Sequence, residues 1–522
     1  MRNTRLGAAA LLAASLMAGA AQAQTAEVRI AVRTDVSSID PHYHAYIPNR
    51  AISRHIFDSL TALSPRGEVR PGLATSWKVV QEDVWEFSLR DAAFHDGSKV
   101  TAEDVAFTFV RAPDVPNSPS SYRTFMKSVD SVEVIDPRTV RIRTKGPAPT
   151  LLVDIEAIAI LSKAAAEGRA TSDFNAGRAA IGTGPYRFIE WQAGNRLILE
   201  RNPAYWGGAE PWSRVLFRPI ANDGARVAAI LSGDVDMIEG VPGIDRAKLA
   251  AHPNLAIHEA DAFRIIYLQM DSARDASPGL KDNAGQPLAR NPFKDARVRH
   301  AISLAINREG LAERLLSGQA KPAAQYVPAY VPGASPNLKP LPFDAERARA
   351  LLREAGWGDG FQMGMAGSND RYPNDAQVAQ AIGQMLARIG VKVDVQTMPA
   401  SQLFSRGSRL EFSAILSGWV GNGEPSSTLV SLMATFDPAK GMGASNRGRW
   451  SNAEYDMALQ TALRTMDEPK RLALYGRAAE IAIAEMGMIP VYFTINTWAT
   501  RRDLTYEARG DETSLATGLR PK

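Results

Sequence analysis

The residues from Ser413 to Leu429 read SAILSGWVGNGEPSSTL. They bring an indole, an amide and a carboxylate (Trp419, Asn422 and Glu424) to one turn, between an apolar run and a helix opened by Pro425. Such groups give a cleft a stacking surface and a few polar anchors. A surface loop with a half-buried tryptophan would read the same way. A second polar turn, Arg33 to His44 (RTDVSSIDPHYH), follows the alternating strand EVRIAV and brings Tyr43, His44 and Tyr46 to a strand end that can face a cleft. His42 and His44 are only a pair of imidazoles with no third ligand at a familiar spacing, so ordinary surface residues are expected there and no metal site. His95 sits in a turn with no nucleophile beside it and is expected to be a structural hydrogen-bonding group.

Catalytic signatures are missing from the sequence. There is no G-x-S-x-G elbow, no H-E-x-x-H and no P-loop. Gly182-Thr183-Gly184 lacks a third glycine and precedes a strand, so it is not a dinucleotide turn. Paired carboxylates for glycoside cleavage leave no mark in a sequence, and nothing points to them here. A binding role, with no enzyme activity and no cofactor, is the expectation.

The elements that must carry these groups fall into three stretches. Residues 58–180 read as a compact α+β unit. Val84 to Arg90 (VWEFSLR) is a half-buried strand, and Thr101 with Asp104 starts a helix by the capping-box pattern. Val132–Ile135 and Val140–Arg143 flank a hairpin turn, and Ala157 to Gly168 is expected to be mostly helical. Strand YRFIEW, strand RLILER and a helix from Ala225 to Leu231 follow. From Phe263 onward the chain alternates helix and strand. Val298, Ala301, Ile302 and Ala305 share a helical face, as do Ala345, Ala348, Leu351, Leu352 and Ala355. The polar loop Ser368–Pro373 precedes a helix bearing Val378, Ile382 and Leu386; Ser451 with Glu454 is read as another capping box. Phe263–Met270 and Ile489–Phe493 are long apolar strands able to cross between lobes. Ligands of such repeated strand–helix units bind at the strand carboxyl ends.

The ends and the composition narrow the setting. MRNTRLGAAALLAASLMAGAAQA has a basic start, a short apolar run and an Ala-Gln-Ala site, the pattern of a cleavable signal peptide over residues 1–23 with Gln24 as the mature start. The chain of 522 residues contains no cysteine, which excludes disulfides, thiolate metal sites and a lipid-anchored N-terminal cysteine. A periplasmic, unanchored protein is expected. The net charge of +4 is a near balance of scattered charges, which argues against nucleic acid as a partner.

Five separated pieces carry a family likeness: FHDGSKVTAEDVAFTF, GTGPYRF, RNPAYW, ARVAAILSGDVD and FKDARVRHAISLAINRE. Together they resemble the bacterial extracellular solute-binding proteins of family 5, the peptide-, dipeptide- and nickel-binding components of ABC importers, over about Val28 to Thr500. The resemblance implies an α/β bilobal fold of the periplasmic-binding-protein type II kind, with an α+β domain inserted in the first lobe and two hinge-crossing strands. Lobe 1 would comprise residues 24–57, 181–267 and 491–522, the inserted domain residues 58–180, and lobe 2 residues 268–490. It also implies a monomer that closes around a short peptide or peptide-like solute and presents it to an ABC permease. A metal chelate or a small opine- or glycoside-like solute is the alternative within the class; an exported hydrolase on the same scaffold, or a sensory or holdase role, lies outside it. In peptide-binding members the loop equivalent to the opening stretch carries Trp, two residues, then an Asp that pairs with the ligand's terminal ammonium. Here Trp419 keeps its place and Asn422 stands at the Asp position, which weakens that charge pair. Glu424 either replaces it or is structural. Tyr122 falls where members place an aromatic contact, and Arg371 is positioned in its loop to pair a ligand carboxylate. Tyr43 and His44 complete the expected ligand-facing set.

Overall fold

The computed structural model describes residues 26–522; the signal peptide assigned to residues 1–23 and the start at Gln24 lie outside them. Its frame is a single eleven-stranded sheet that runs through both lobes. From one edge the strands are Val391–Met398, Phe361–Ser368, Ala414–Val420, Leu255–Met270, Ile489–Arg501, Met237–Glu239, Glu27–Val32, Arg214–Pro219, Arg196–Arg201 and Tyr186–Gln192, with Ala320–Pro322 paired to Ile489–Arg501. Among the described residues, no helix is long and apolar enough to cross a membrane.

The two central strands, Leu255–Met270 and Ile489–Arg501, are antiparallel partners that belong to both lobes. On one side Met237–Glu239 pairs with Thr500–Trp498, and Glu27–Val32 lies parallel to it. On the other side Ala414–Val420 pairs with Met270–Arg264. Following the register, the carboxyl ends of the first-lobe strands advance toward Asp261, and the carboxyl end of Ala414–Val420 advances toward Arg264. Both sets therefore converge on the register shift between Asp261 and Ile265. A break in the ladder there bends the strand and separates the lobes. Convergence of carboxyl ends from two half-sheets leaves a cleft between them, where the loops after the strands meet.

The crossing strand is longer than its apolar core. Ala262 to Met270 is buried on both faces, so it is apolar except for Arg264 and Gln269. Leu255 to Asp261 carries His258, Glu259 and Asp261 and has one wetter face, so its strand character comes from pairing with Arg501–Ile495.

Residues Leu60 to Ile160 close a separate core around Phe87, Val105, Val140 and Ile142, all fully buried. Each such side chain contributes about 1.5–3 kcal/mol of transfer free energy. A four-stranded antiparallel sheet (Ala74–Gln81, Val84–Leu89, Thr139–Thr144, Val129–Asp136) lies over the helix Ala102–Arg111. That helix starts where the Thr101 N–H and hydroxyl both donate to Asp104, at 2.9 Å each.

Three local expectations are corrected. Ala157–Gly168 is not mostly helical: only Lys163–Ala166 is α-helix, and Ile158 to Leu161 is extended and buried. The backbone there bonds outward, Ile160 N–H to Asp58 and Leu161 N–H to the Thr108 hydroxyl, so tertiary partners override helix propensity. Likewise Asn452, not Ser451, caps the helix Ala453–Ala462, by accepting from the Tyr455 N–H at 2.9 Å. The Ser451 hydroxyl bonds Thr435 instead. His42 is also not a surface residue: it is fully buried, bonded to the Ala159 carbonyl at 2.8 Å and beside the Arg111–Asp40 ion pair.

Gly182 and Gly184 have a packing reason. A Cβ on Gly182 would lie 1.9 Å from the Ile56 carbonyl oxygen, and one on Gly184 would lie 2.6 Å from that of His55. His95 reads this turn with both ring nitrogens: Nδ1 accepts from the Gly182 N–H at 3.3 Å, which leaves Nε2 to donate to the Gly184 carbonyl at 3.0 Å. Burial pulls its imidazole down to about 4, so it stays neutral.

Candidate functional site

Where the strand ends converge, the molecule encloses a cavity of about 890 Å³. Its walls come from both lobes. The first lobe supplies Arg33 to Val36, Tyr46 and Glu239 to Ile244; the second supplies Leu316, Ser317, Gln319 and Asp370 to Asn374; Thr494 to Trp498 and Glu512 line the hinge side. This volume lies within the range of small-molecule sites, roughly 300–1,000 Å³.

Backbone strain gathers at this cavity. Three lining residues other than glycine hold positive φ: Ser317 (+53°), Asn374 (+52°) and Glu512 (+64°). Such conformations cost energy and persist where surrounding contacts enforce them. Ser317 follows a π-helical turn, Leu311–Leu315, and packs on Gly243 of the other lobe. Beyond it, Gln319 donates to the Val241 carbonyl across the lobes at 2.8 Å. Asn374 donates to the Leu315 carbonyl at 2.8 Å, which joins the two second-lobe loops of the cavity. Glu512 is held by Arg264 through two short bonds, 2.5 and 2.6 Å. Arg264 is buried in the crossing strand and lies over the Tyr372 ring at 5.4 Å; the Tyr372 hydroxyl bonds both the N–H and the carbonyl of Gly418. The hinge strand, the C-terminal segment and the strand leading to Trp419 are thus tied at one point.

Of the residues singled out in the sequence, Arg371 lines the cavity. Its backbone N–H is fixed by Asp375 at 3.0 Å, while its exposed guanidinium has no ion-pair or hydrogen-bond partner among the described residues. Trp419, Asn422 and Glu424 sit on a different part of the lobe boundary. Trp419 is half-buried against the second-lobe core beside Ile265 and Tyr326. The Asn422 side chain accepts from the Glu424 N–H and the Ser427 hydroxyl, both at 3.3 Å. Glu424 caps the helix Pro425–Leu432, accepting from the Ser426 N–H at 2.7 Å and from its hydroxyl. Burial pushes the Glu424 carboxyl up. The loop meets the hairpin Thr61–Pro71 of the facing side: a Cβ on Gly423 would lie 2.6 Å from the Gly67 Cα, and both glycines have φ of +86°. Nearby, burial pushes the half-buried Asp154 carboxyl up to about 7; the Thr150 hydroxyl opposes this at 3.0 Å, and the Glu424 carboxylate across the boundary adds to it.

Tyr122 is inside the core of the inserted unit, 1% exposed, with its hydroxyl toward the His44 carbonyl at 3.4 Å; burial pushes its phenol up. His44 is half-buried, bonds the Ser37 hydroxyl at 2.8 Å and stacks on the cavity-lining Tyr46, with ring centroids 5.0 Å apart. Burial pulls its imidazole down. Tyr43 is anchored by its carbonyl, which accepts from the Ser118 hydroxyl at 2.6 Å. The structure thus assembles Arg371 with Arg33, Glu239, Arg264 and Glu512, which sequence reasoning passed over. Arg33 carried a usable signal, since it is the first residue after a strand. Glu512 carried none, because its position follows from the path of the C-terminal segment. No group of three or more His, Cys, Asp or Glu among the described residues is placed to hold a metal ion.

Two lobes on a shared bent strand pair, with a cavity between them walled by both, make a molecule that binds a small solute by closing on it. The family follows from the sequence: residues 68–440 match the family "Bacterial extracellular solute-binding proteins, family 5 Middle", and the chain belongs to it. It is 28% identical over 513 residues to the glutathione-binding protein GsiB of Escherichia coli O1:K1 / APEC, which covers 96% of this chain and 95% of that one. It is 27% identical over 524 residues to di/tripeptide-binding protein 2 of Pseudomonas aeruginosa (strain UCBPP-PA14), covering 95% and 94%. Its fold matches the structure of HbpA2 from Haemophilus parasuis with a TM-score of 0.81 at 24% identity, covering 95% of this chain and 100% of that one.

Proposed function

We propose that this solute-binding protein captures a short peptide or peptide-like molecule in the periplasm and hands it to the permease of an ABC importer. The observation that carries the reading is Arg371, a guanidinium without a partner on the second-lobe wall of the cavity. A planar, permanently charged fork suits a carboxylate, and every peptide with a free C-terminus carries one. The names of the two relatives, a glutathione binder and a di/tripeptide binder, support the same class.

In this reading Arg371 takes a ligand carboxylate, and the loops at Arg33–Val36 and Glu239–Gly243 close over the ligand from lobe 1. Lobe 1 comprises residues 24–57, 181–267 and 491–522, lobe 2 comprises 268–490, and residues 58–180 form the inserted domain. The ligand stabilises the closed form only by contacts made to both lobes. Trp419, Asn422 and Glu424 shape the neighbouring wall. Asn422 brings no charge for a terminal ammonium, and Glu424 is engaged as a helix cap. Tyr43 and His44 support Tyr46 at the rim, and Tyr122 supports them from beneath. The signal peptide over residues 1–23 directs export. The protein acts as a monomer without a cofactor.

Mass spectrometry of small molecules released from the purified, denatured protein tests the reading, followed by calorimetry with the released compound. A peptide or peptide-like carboxylate is the expected finding. Recovery of a compound without any carboxylate, confirmed by calorimetric binding, overturns it.

A further inference from the structure

We infer that the preferred ligand carries a second anionic group, which Arg33 receives on the first-lobe wall while Arg371 holds the first. The inference rests on the reading of Arg371 given above. The polar groups of the cavity differ in one respect. Each acidic side chain already accepts bonds from the protein. Asp35 takes the Val36 and Gly194 N–H groups at 2.8 and 2.5 Å, and Asp370 takes the Ala400 N–H at 2.8 Å. Glu239 takes the Arg33 N–H at 2.7 Å and the Ser514 hydroxyl at 2.6 Å. Glu512 is paired with Arg264 and Asp223 with Arg226. The guanidiniums of Arg33 and Arg371 donate to nothing among the described residues. The unpaired groups of the cavity are therefore these two guanidiniums, one on the wall of each lobe.

Arg33 is also positioned. Its backbone is pinned by Glu239, and its stem crosses Gly240, where a Cβ would come within 2.6 Å of the arginine Cδ. Gly240, at φ +65°, leaves the room that any other residue would fill. A monocarboxylate reaching only Arg371 would load one lobe. A ligand with two anionic groups engages Arg371 and Arg33 together, and so stabilises closure through both lobes. The chemical class is a short peptide with an acidic side chain, or an equivalent dicarboxylate conjugate. Of the wall carboxylates, Asp223 and Glu512 are paired with arginines, whereas Asp35, Glu239 and Asp370 accept only from neutral N–H and hydroxyl donors and keep lone pairs for the ligand's ammonium.

The test is calorimetry of the unliganded full-length mature protein with alanine di- and tripeptides, the same peptides carrying one glutamate, and glutarate. The glutamate peptides are expected to bind roughly 10- to 100-fold more tightly than the alanine peptides, as charge-assisted bonds imply. Arg33→Gln is expected to collapse that preference, with its melting curve confirming that it folds. Equal affinity for neutral and acidic peptides overturns the second anion and leaves the peptide reading standing. A preference that survives Arg33→Gln overturns the role of Arg33. Binding of glutarate with no peptide bound overturns the peptide reading but keeps the dianion, and failure of all three ligand types overturns both.

Discussion

Two stretches of the lobe boundary, both at strand carboxyl ends, behave in opposite ways. The loop Trp419–Glu424 is conspicuous in sequence, yet much of it is engaged locally: the Asn422 side-chain oxygen accepts within its own loop, Glu424 caps its own helix and Gly423 abuts Gly67, while Trp419 Nε1 and Glu424 Oε1 are buried without a partner. The 370s loop and the turn after Arg33, both also read as polar loops in sequence, present guanidiniums that bond to nothing among the described residues. The difference teaches that residue type does not identify a ligand contact. What separates the two regions is that the open capacity of the cavity loops is a charged, exposed guanidinium, whereas that of the Trp419–Glu424 loop is enclosed by protein. The inward-turned loop is where the lobes touch, and the open one is where a solute fits.

That contrast can be broken or sharpened by substitution. The largest effect is expected at the knot behind both regions. Glu512→Ala leaves Arg264 buried without its partner and should lower stability by about 3 kcal/mol, read from denaturant unfolding. Arg371→Ala should leave the melting temperature almost unchanged and weaken ligand binding by about 2 kcal/mol, read by calorimetry. Gly423→Ala adds a Cβ at positive φ against Gly67 and should cost about 1 kcal/mol, appearing as a more open form in solution scattering and a weaker affinity. The smallest effect is expected at Asn422→Ala, within about 0.5 kcal/mol in binding, because its amide serves only the local turn. If Asn422→Ala damages binding as much as Arg371→Ala does, the distinction between the two regions fails.

The boundary should also respond to pH. Asp154 is raised to about 7 where the lobes meet, by burial and by Glu424. A carboxyl raised in the closed form binds its proton more tightly there than when exposed. Its contribution to closure is thus complete below its ordinary range and is lost as pH rises through about 7. Closure measured by scattering should weaken between pH 6 and 8, about that value, and Asp154→Asn should flatten the change. A profile identical in the two proteins would remove Asp154 as the cause.

Much of the architecture was legible in the sequence because periodicity is local. The crossing strands showed as apolar runs, and the helix from Ala102 as a capping box that the structure reproduces. What was not legible depended on distant partners. The crossing strand is legible only from Phe263, and its first half, Leu255–Asp261, is strand through pairing with Arg501–Ile495. Ile158–Leu161 looks helical and is drawn out by Asp58 and Thr108. Arg371 could be placed through the family resemblance, which puts its polar loop at the pocket. The burial of Tyr122 could not be read, since an aromatic ring near a Ser-rich loop looks the same whether it faces a ligand or a core. The placement of Arg33 appears only once Glu239 and Gly240 lie beside it, and the backbone strain at Glu512 only once the C-terminal segment has returned to the hinge.

The most direct test is a crystal structure of the protein purified with its own ligand. The account predicts ligand in the cavity between the lobes, with a carboxylate about 3 Å from the Arg371 guanidinium and no ligand atom hydrogen-bonded to Glu424. A ligand seated on the Trp419–Glu424 loop, with Arg371 left free in solvent, would contradict it.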